Sequence, residues 1–365
     1  GGEAALKRTT KISAFQFYFM LFLSRIIVSI TISSQTLGER NFLDSIFSSL
    51  LLFAVLLLFV LPLFSLNKRY PDQSLPAIAE MRMGGFGFGV SALYRVYFFI
   101  LNTFSLSIFL ARLLNTMDPA ASKWSIAIIL AAIALYGAVK GIETISRASI
   151  CIFVLFALGM AAIFIALAPN ITLRYLEPPF YNGLDDTLRG FFVFAARCTS
   201  LAEFAVLMPF VEGRKKLGFA VFNGGVTAFL SILLFFMVSC LGEYAYLQIF
   251  PAYTLAAMSE IAGVQRLDAL FIGLCMMTLV IRMACGLFAI SECISRVVKP
   301  RVRTIVLSVL SAASVLCAMW VTADARRSGL LFRTEYLLPL TALTGAVLPV
   351  AVWVIDHFKK ERKPR

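Results

Sequence analysis

Arg197 and Glu203 lie within residues 188–210, an apolar stretch long enough to cross a bilayer. A charge at that depth costs roughly 2.5–3.5 kcal/mol on insertion scales, so its presence calls for a use. Between the two charges run Cys198, Thr199, Ser200, Leu201 and Ala202. These mostly small and hydroxyl-bearing residues let a helix loosen and let a ligand approach backbone groups. The chemistry implied is ligand binding at a discontinuous helix. A polar cluster that only joins helices is the competing reading.

The whole chain must position these groups. Its 365 residues are 60% hydrophobic and only 15% charged, with a mean hydropathy of +0.88, more apolar surface than a soluble core can hide. The expected class is an all-α integral membrane protein. The net charge of +13 reads as loop topology rather than nucleic-acid binding. Seven cysteines fall in or beside apolar runs without CxxC pairs, and the single histidine, His357, ends the last run. No metal, cofactor or catalytic triad is expected, and no cleavable signal peptide.

Ten apolar runs of spanning length follow one another, at about 12–33, 42–66, 88–114, 123–140 and 148–168, then 187–209, 217–241, 268–292, 302–321 and 336–357. Five plus five suggests two inverted repeats, about 12–168 and 187–357, within one domain covering 1–365. The loops alternate in charge. One side holds Lys7, Arg8 and Lys11; Lys68, Arg69 and Arg82; Lys140 and Arg147; Arg214, Lys215 and Lys216; Arg296, Lys299, Arg301 and Arg303; and the tail from Lys359. That side is expected to be cytoplasmic and to carry both termini. The opposite loops hold fewer cations, such as Arg40, Arg174 and Arg266, offset by Glu39, Asp118, Glu177 and others.

Two loops add detail. In 67–87, prolines precede Gly84, Gly85, Gly87 and Gly89, which are expected to permit close helix crossing rather than to bind phosphate. In 242–268, residues 251–260 read as a short amphipathic helix, lying either over a pathway or simply on the surface.

Further intramembrane charges are Arg25 in span one, Arg95 in span three and Arg282 in span eight. With Arg197 and Glu203 in span six, they fall on the four spans that surround a midplane site in a five-plus-five inverted repeat whose first and sixth helices are discontinuous. Glu203 is expected to pair with Arg25, Arg95 or Arg282. Four arginines against one glutamate leave positive charge over, so the ligand is expected to bring a carboxylate while Glu203 receives its ammonium. Arginines that snorkel or face carbonyls would remove that excess.

Several residues carry a family resemblance over nearly the whole chain. They are Phe15-Gln16, the run from Gly141 to Arg147 (GIETISR), Leu176-Glu177-Pro178 with Gly183, Thr199 to Glu203 (TSLAE), and Arg266-Leu267-Asp268. The chain resembles the membrane-embedded B subunit of bacterial spore germinant receptors, a spore germination permease family of the amino acid, polyamine and organocation (APC) transporter superfamily. The resemblance implies a LeuT/APC-like fold of ten helices with discontinuous helices 1 and 6, and no enzymatic activity. It implies a sensor, or a sensor that also transports, of a small germinant such as an amino acid, seated in the bacterial cell membrane or the inner spore membrane beside a soluble-domain membrane subunit and a lipoprotein. An ordinary proton- or sodium-coupled transporter of amino acids or organic cations is the alternative. The candidate ligand residues are Arg25, Ser29, Arg95, Arg197, Thr199, Ser200, Glu203 and Arg282. Where relatives place glycines to unwind span one, this chain has Ile27, Val28 and Ser29, and span six has Leu201.

Overall fold

Ser13 starts the first helix with a capping box: its hydroxyl accepts from the Gln16 amide while the Gln16 side chain accepts from the Ser13 amide. Helix α1 then runs from Ala14–Ile30, apolar around most of its circumference and buried on nearly all sides beyond Phe17. The computed structural model describes residues 11–32, 43–114, 122–176, 178, 180, 183–261, 264–265, 267–295, 298–331 and 333–361. Lys7, Arg8, Glu39, Arg40, Asp118, Glu177, Arg266 and Arg296 lie outside them, as does the tail from 362 onward.

Span two is α2 (Asp44–Phe59) and α3 (Leu61–Arg69), joined through Val60 with Pro62 just beyond. A short α4 (Leu75–Met83) leads into α5 (Gly85–Phe109), which ends in a π turn over Leu110–Leu114. Of the four glycines here, Gly84 is needed for its φ of 58° and Gly87 for a close approach, since a Cβ at Gly87 would fall on the Ala79 backbone. Gly85 and Gly89 face open space, so the close-crossing expectation holds for Gly87 alone. Helices α6 (Lys123–Lys140) and α7 (Ile142–Leu167) are separated only by Gly141 at φ 103°. Span six consists of α8 (Asp185–Ala196) and α9 (Ser200–Leu207), closed by a 3-10 turn over Met208–Phe210.

The second half continues with α10 (Lys215–Leu241), the short α11 (Pro251–Met258), α12 (Asp268–Ile294) and α13 (Pro300–Thr322). Helix α14 (Thr334–Ala342) contains Pro339, a π turn follows at Leu343–Val347, and α15 (Leu348–Glu361) ends the chain's last span. Helix α11 turns Ala252, Leu255 and Ala256 inward and packs on α7, α10 and α12. A two-residue parallel pair, β1 (Ile12–Ser13) with β2 (Val211–Glu212), ties the start of span one to the end of span six.

Among the described residues, nine helices are long and apolar enough to cross a membrane, and they follow the expected second to tenth runs in order. Helix α1 is shorter, at 17 residues. Burial sorts the spans into two shells. The central stretches of spans three, six and eight are 72%, 83% and 72% buried, against about a third or less for spans two, four, five, nine and ten. The outer helices turn side chains such as Leu58, Ile129, Leu158, Ile165 and Val309 outward, as lipid-facing surfaces do. Helix α12 packs on α1, α5, α6 and α7, so the charged spans are the inner ones.

One expectation is corrected. Helix α1 is continuous from Ala14 to Ile30, not broken. It contains neither glycine nor proline, and Ile26, Ile27 and Val28 are stiff β-branched residues buried against neighbours, so nothing local favours unwinding. Ten crossings with both termini on the basic side remain the expected topology. In a variant lacking native cysteines, Cys placed at Lys216 or Arg301 should react with an impermeant maleimide only after permeabilisation. Labelling of either in intact cells would invert the scheme.

Candidate functional site

Helix α8 ends at Ala196, and Arg197 (φ −97°, ψ 1°) departs from helical geometry. The interruption leaves backbone groups to be satisfied inside the membrane, and a neighbouring helix helps: the Thr341 hydroxyl of α14 donates to the Ala196 carbonyl at 2.9 Å. Thr199 caps α9, its carbonyl accepting the Glu203 amide at 3.0 Å. Cys198 Sγ and Ser200 Oγ lie 3.2 Å apart within the break. The expected discontinuity in span six is thus present, without the glycine that Leu201 replaces.

One turn into α9, Glu203 meets two other spans. Its Oε1 forms an ion pair with Arg282 Nη1 of α12. The same oxygen accepts from Ser24 Oγ of α1 at 2.8 Å and from Thr199 Oγ1 at 3.2 Å. Arg282 Nη1 also donates to Ser24 Oγ at 3.1 Å. Ser24, Thr199, Glu203 and Arg282 are all 0% exposed. Each charge offsets part of the desolvation cost of the other, and the two hydroxyls complete the shell of one carboxylate oxygen. Valences remain open: Glu203 Oε2 and Arg282 Nε and Nη2 have no hydrogen bond among the described residues. Tyr97, also fully buried, lies beside this pair, Cys198 and Thr341.

Arg197 is 2% exposed, and neither Nη1 nor Nη2 has a hydrogen-bond partner among the described residues. Another cation, Arg112 of the π turn after α5, acts on it electrostatically and itself donates to the Ile249 carbonyl at 2.8 Å. The break in span six therefore presents, six residues before Glu203, a guanidinium whose terminal nitrogens are unsatisfied among the described residues. The arrangement can recognise an anion at Arg197 while the open valences of the pair accept further polar groups.

The structure divides the sequence-derived candidates. Thr199, Glu203 and Arg282 converge, Ser200 lies in the same break, and Arg197 precedes it. Arg25, although 3% exposed, turns to α10 and donates to Asn223 Oδ1 at 2.7 Å, while Asn223 donates to the Phe53 carbonyl at 3.2 Å. It bridges spans one, two and seven and is not a partner of Glu203. Arg95 is half-buried on α5 and donates to the Ser91 carbonyl of its own helix at 3.3 Å. Ser29 bonds back to the Arg25 carbonyl at 3.1 Å and lines a small apolar cavity with Phe194 and Leu230. These three are not brought to the pair.

Sequence reasoning missed Ser24, Tyr97, Arg112 and Thr341. Neutral hydroxyls carry no hydropathy penalty large enough to stand out, and Arg112 sits close to a span end, where arginine is unremarkable. It also missed Asp356, 0% exposed near the end of α15, which accepts from Arg69 at 2.5 Å and Tyr70 at 2.8 Å and lies 3.0 Å from Arg82. That network ties span two, α4 and the last span together at the basic end. Outside the spans, the hydrogen bond to Tyr70 is the main influence raising the Arg82 guanidinium above its ordinary range.

Comparison with known proteins adds a family and a fold. The family model described as "Spore germination protein" matches residues 11–326. No curated protein matches the chain. Among solved structures, the chain is similar to a substrate-bound, outward-open Na+-coupled sialic acid symporter, at 14% identity and a TM-score of 0.62, covering 93% of this chain and 80% of that one.

Proposed function

Because the chain belongs to the family of spore germination proteins, we propose that this transporter-like multi-pass membrane protein is the ligand-sensing subunit of a germinant receptor. It binds a small, amino-acid-like germinant between spans one, three, six and eight and passes the signal to a soluble-domain membrane subunit and a lipoprotein in the inner spore membrane. Its halves, about 12–168 and 187–357, act as inverted repeats of one domain, with both termini cytoplasmic.

The observation that carries this reading is the buried Arg197 at the break in span six, whose two terminal nitrogens lack partners among the described residues. A guanidinium so placed favours a ligand with a carboxylate, which it binds through two parallel hydrogen bonds. Glu203 Oε2, the open carboxylate oxygen of the pair, offers an acceptor for the ligand's ammonium. Since Thr199, Ser200, Glu203 and Arg282 are all 0% exposed, the helices must part to admit it. The unbroken α1 favours sensing over transport, because one of the two helices that unwind around a transported ligand is here continuous. The break in span six favours the alternative of secondary transport.

The test is ligand-dependent thermal stabilisation of the purified protein. An amino acid at 100 times its Kd should stabilise by about 2.7 kcal/mol. The corresponding amide should need at least tenfold more ligand for the same shift. Equal potency of acid and amide would remove the carboxylate assignment, and no response to any amino acid would remove the germinant class. Flux of a radiolabelled ligand into proteoliposomes would select the transporter instead.

A further inference from the structure

Helices α1, α7 and α10 enclose a cleft of about 370 Å³ on the outer surface of the bundle, away from the Glu203–Arg282 pair. Phe15, Phe19 and Phe22 line it from α1, spaced four and three residues apart and therefore on one helix face. Phe153 of α7 stacks on Phe19 with centroids 4.0 Å apart and meets Phe22 edge-on at 5.2 Å, which fixes the aromatic wall. Leu217 and Val221 of α10 form the opposite wall, 59% and 67% exposed. The interior is kept open by Gly225, where an added Cβ would meet nothing within 4 Å.

Arg214 lines one end of the cleft, and two lysines that flank its lining residues in sequence, Lys11 and Lys215, are already engaged. Lys11 is engaged by Asp72 at 3.5 Å and Glu212 at 3.6 Å. Lys215 donates to Asn67 Oδ1 at 3.2 Å and to the Met208 carbonyl at 3.1 Å. Arg214, which lines the mouth, is exposed and has no ion pair or side-chain hydrogen bond among the described residues. From Arg214 to Gly225, α10 rises about 16 Å at 1.5 Å per residue. That is close to the hydrocarbon depth of one leaflet, about half of the 30 Å core.

The geometry points to a phospholipid-binding site: an anionic glycerophospholipid of the leaflet on the basic side, its phosphate on Arg214 and one acyl chain against Phe15, Phe19 and Phe22. The match of depth to one leaflet and the free Arg214 at its mouth select a lipid over a partner helix, which would need no phosphate-binding cation. An arginine fork suits a phosphate, and rigid aromatic walls suit a chain that loses rotamers on binding. Helix α1 is shared with the candidate ligand site: Phe22 lines the cleft, and Ser24 touches Glu203.

The experiment titrates short-chain phosphatidylglycerol and phosphatidylcholine against the purified full chain, reading bound lipid by native mass spectrometry and stability by thermal midpoint. The wild type should bind one phosphatidylglycerol about tenfold more tightly than phosphatidylcholine. Arg214→Gln should lose that preference while keeping weak binding of both. Gly225→Leu should lose both lipids; Val221→Trp, at a residue already facing outward, gives the same reading if the glycine variant does not fold. Lys216→Gln should behave as the parent. Equal affinity for the two lipids in the wild type, retention of lipid by both cleft-filling variants, or a dimer in place of a lipid adduct would each overturn the assignment.

Discussion

Glu203→Leu should destabilise the protein by about 3–5 kcal/mol, because it leaves the Arg282 guanidinium charged and unpaired in a fully buried position. Arg282→Met should cost less, because a carboxyl can shed its charge by taking a proton whereas a guanidinium cannot. The double variant Glu203→Leu with Arg282→Met should recover most of the loss, since replacing both partners by apolar groups removes the desolvation burden altogether. The coupling between the two positions should therefore exceed the 0.5 kcal/mol seen for independent sites. Reversible unfolding in detergent of the four proteins measures it. Additive effects would mean that the ion pair does not hold spans six and eight together. Ser24→Ala belongs to the same network and should couple to both positions, with a smaller loss of about 1 kcal/mol for one hydrogen bond.

Arg197→Met separates stability from function in opposite directions. Removing a buried guanidinium whose two terminal nitrogens lack partners among the described residues should stabilise the protein by roughly 2–3 kcal/mol, the scale of a lone charge at a helix centre. The same change should weaken the response to an acidic germinant by about ten- to a hundredfold, because hydrogen bonds to charged groups contribute about 1.5–3 kcal/mol and each 1.4 kcal/mol is tenfold. Arg197→Lys should fall between, since an ammonium lacks the planar fork. Germination assays read the response, and the thermal midpoint of the purified protein reads stability. Loss of stability in Arg197→Met would show that the guanidinium serves the fold. An unchanged response would take it out of ligand recognition.

The amino-acid sequence alone determined the class, the order of nine of the spans and the break in span six, because each follows from local composition. An apolar run longer than a bilayer is thick has few other places to go, and a Cys-Thr-Ser segment between two charges is where a spanning helix most readily loosens. It also placed the charges on the inner spans, since burial of a charge in lipid is too costly for an outer face. Partner choice was decided only by tertiary structure. Hydropathy gives the depth of a residue along a helix but not the direction it faces, and consecutive residues on a 3.6-residue turn point about 100° apart. Ser24 and Arg25 are neighbours in sequence, yet packing turns Ser24 to Glu203 and Arg25 to Asn223. By the same reasoning Arg282, not Arg25 or Arg95, meets Glu203, because α12 packs on α1 and α9 in the centre of the bundle while Arg95 lies half-exposed on α5. The continuity of α1 also required the fold. Its β-branched residues lower the tendency to unwind, but it is their burial against neighbouring helices that holds Ile27 and Val28 in a helix where a glycine would have let the backbone open.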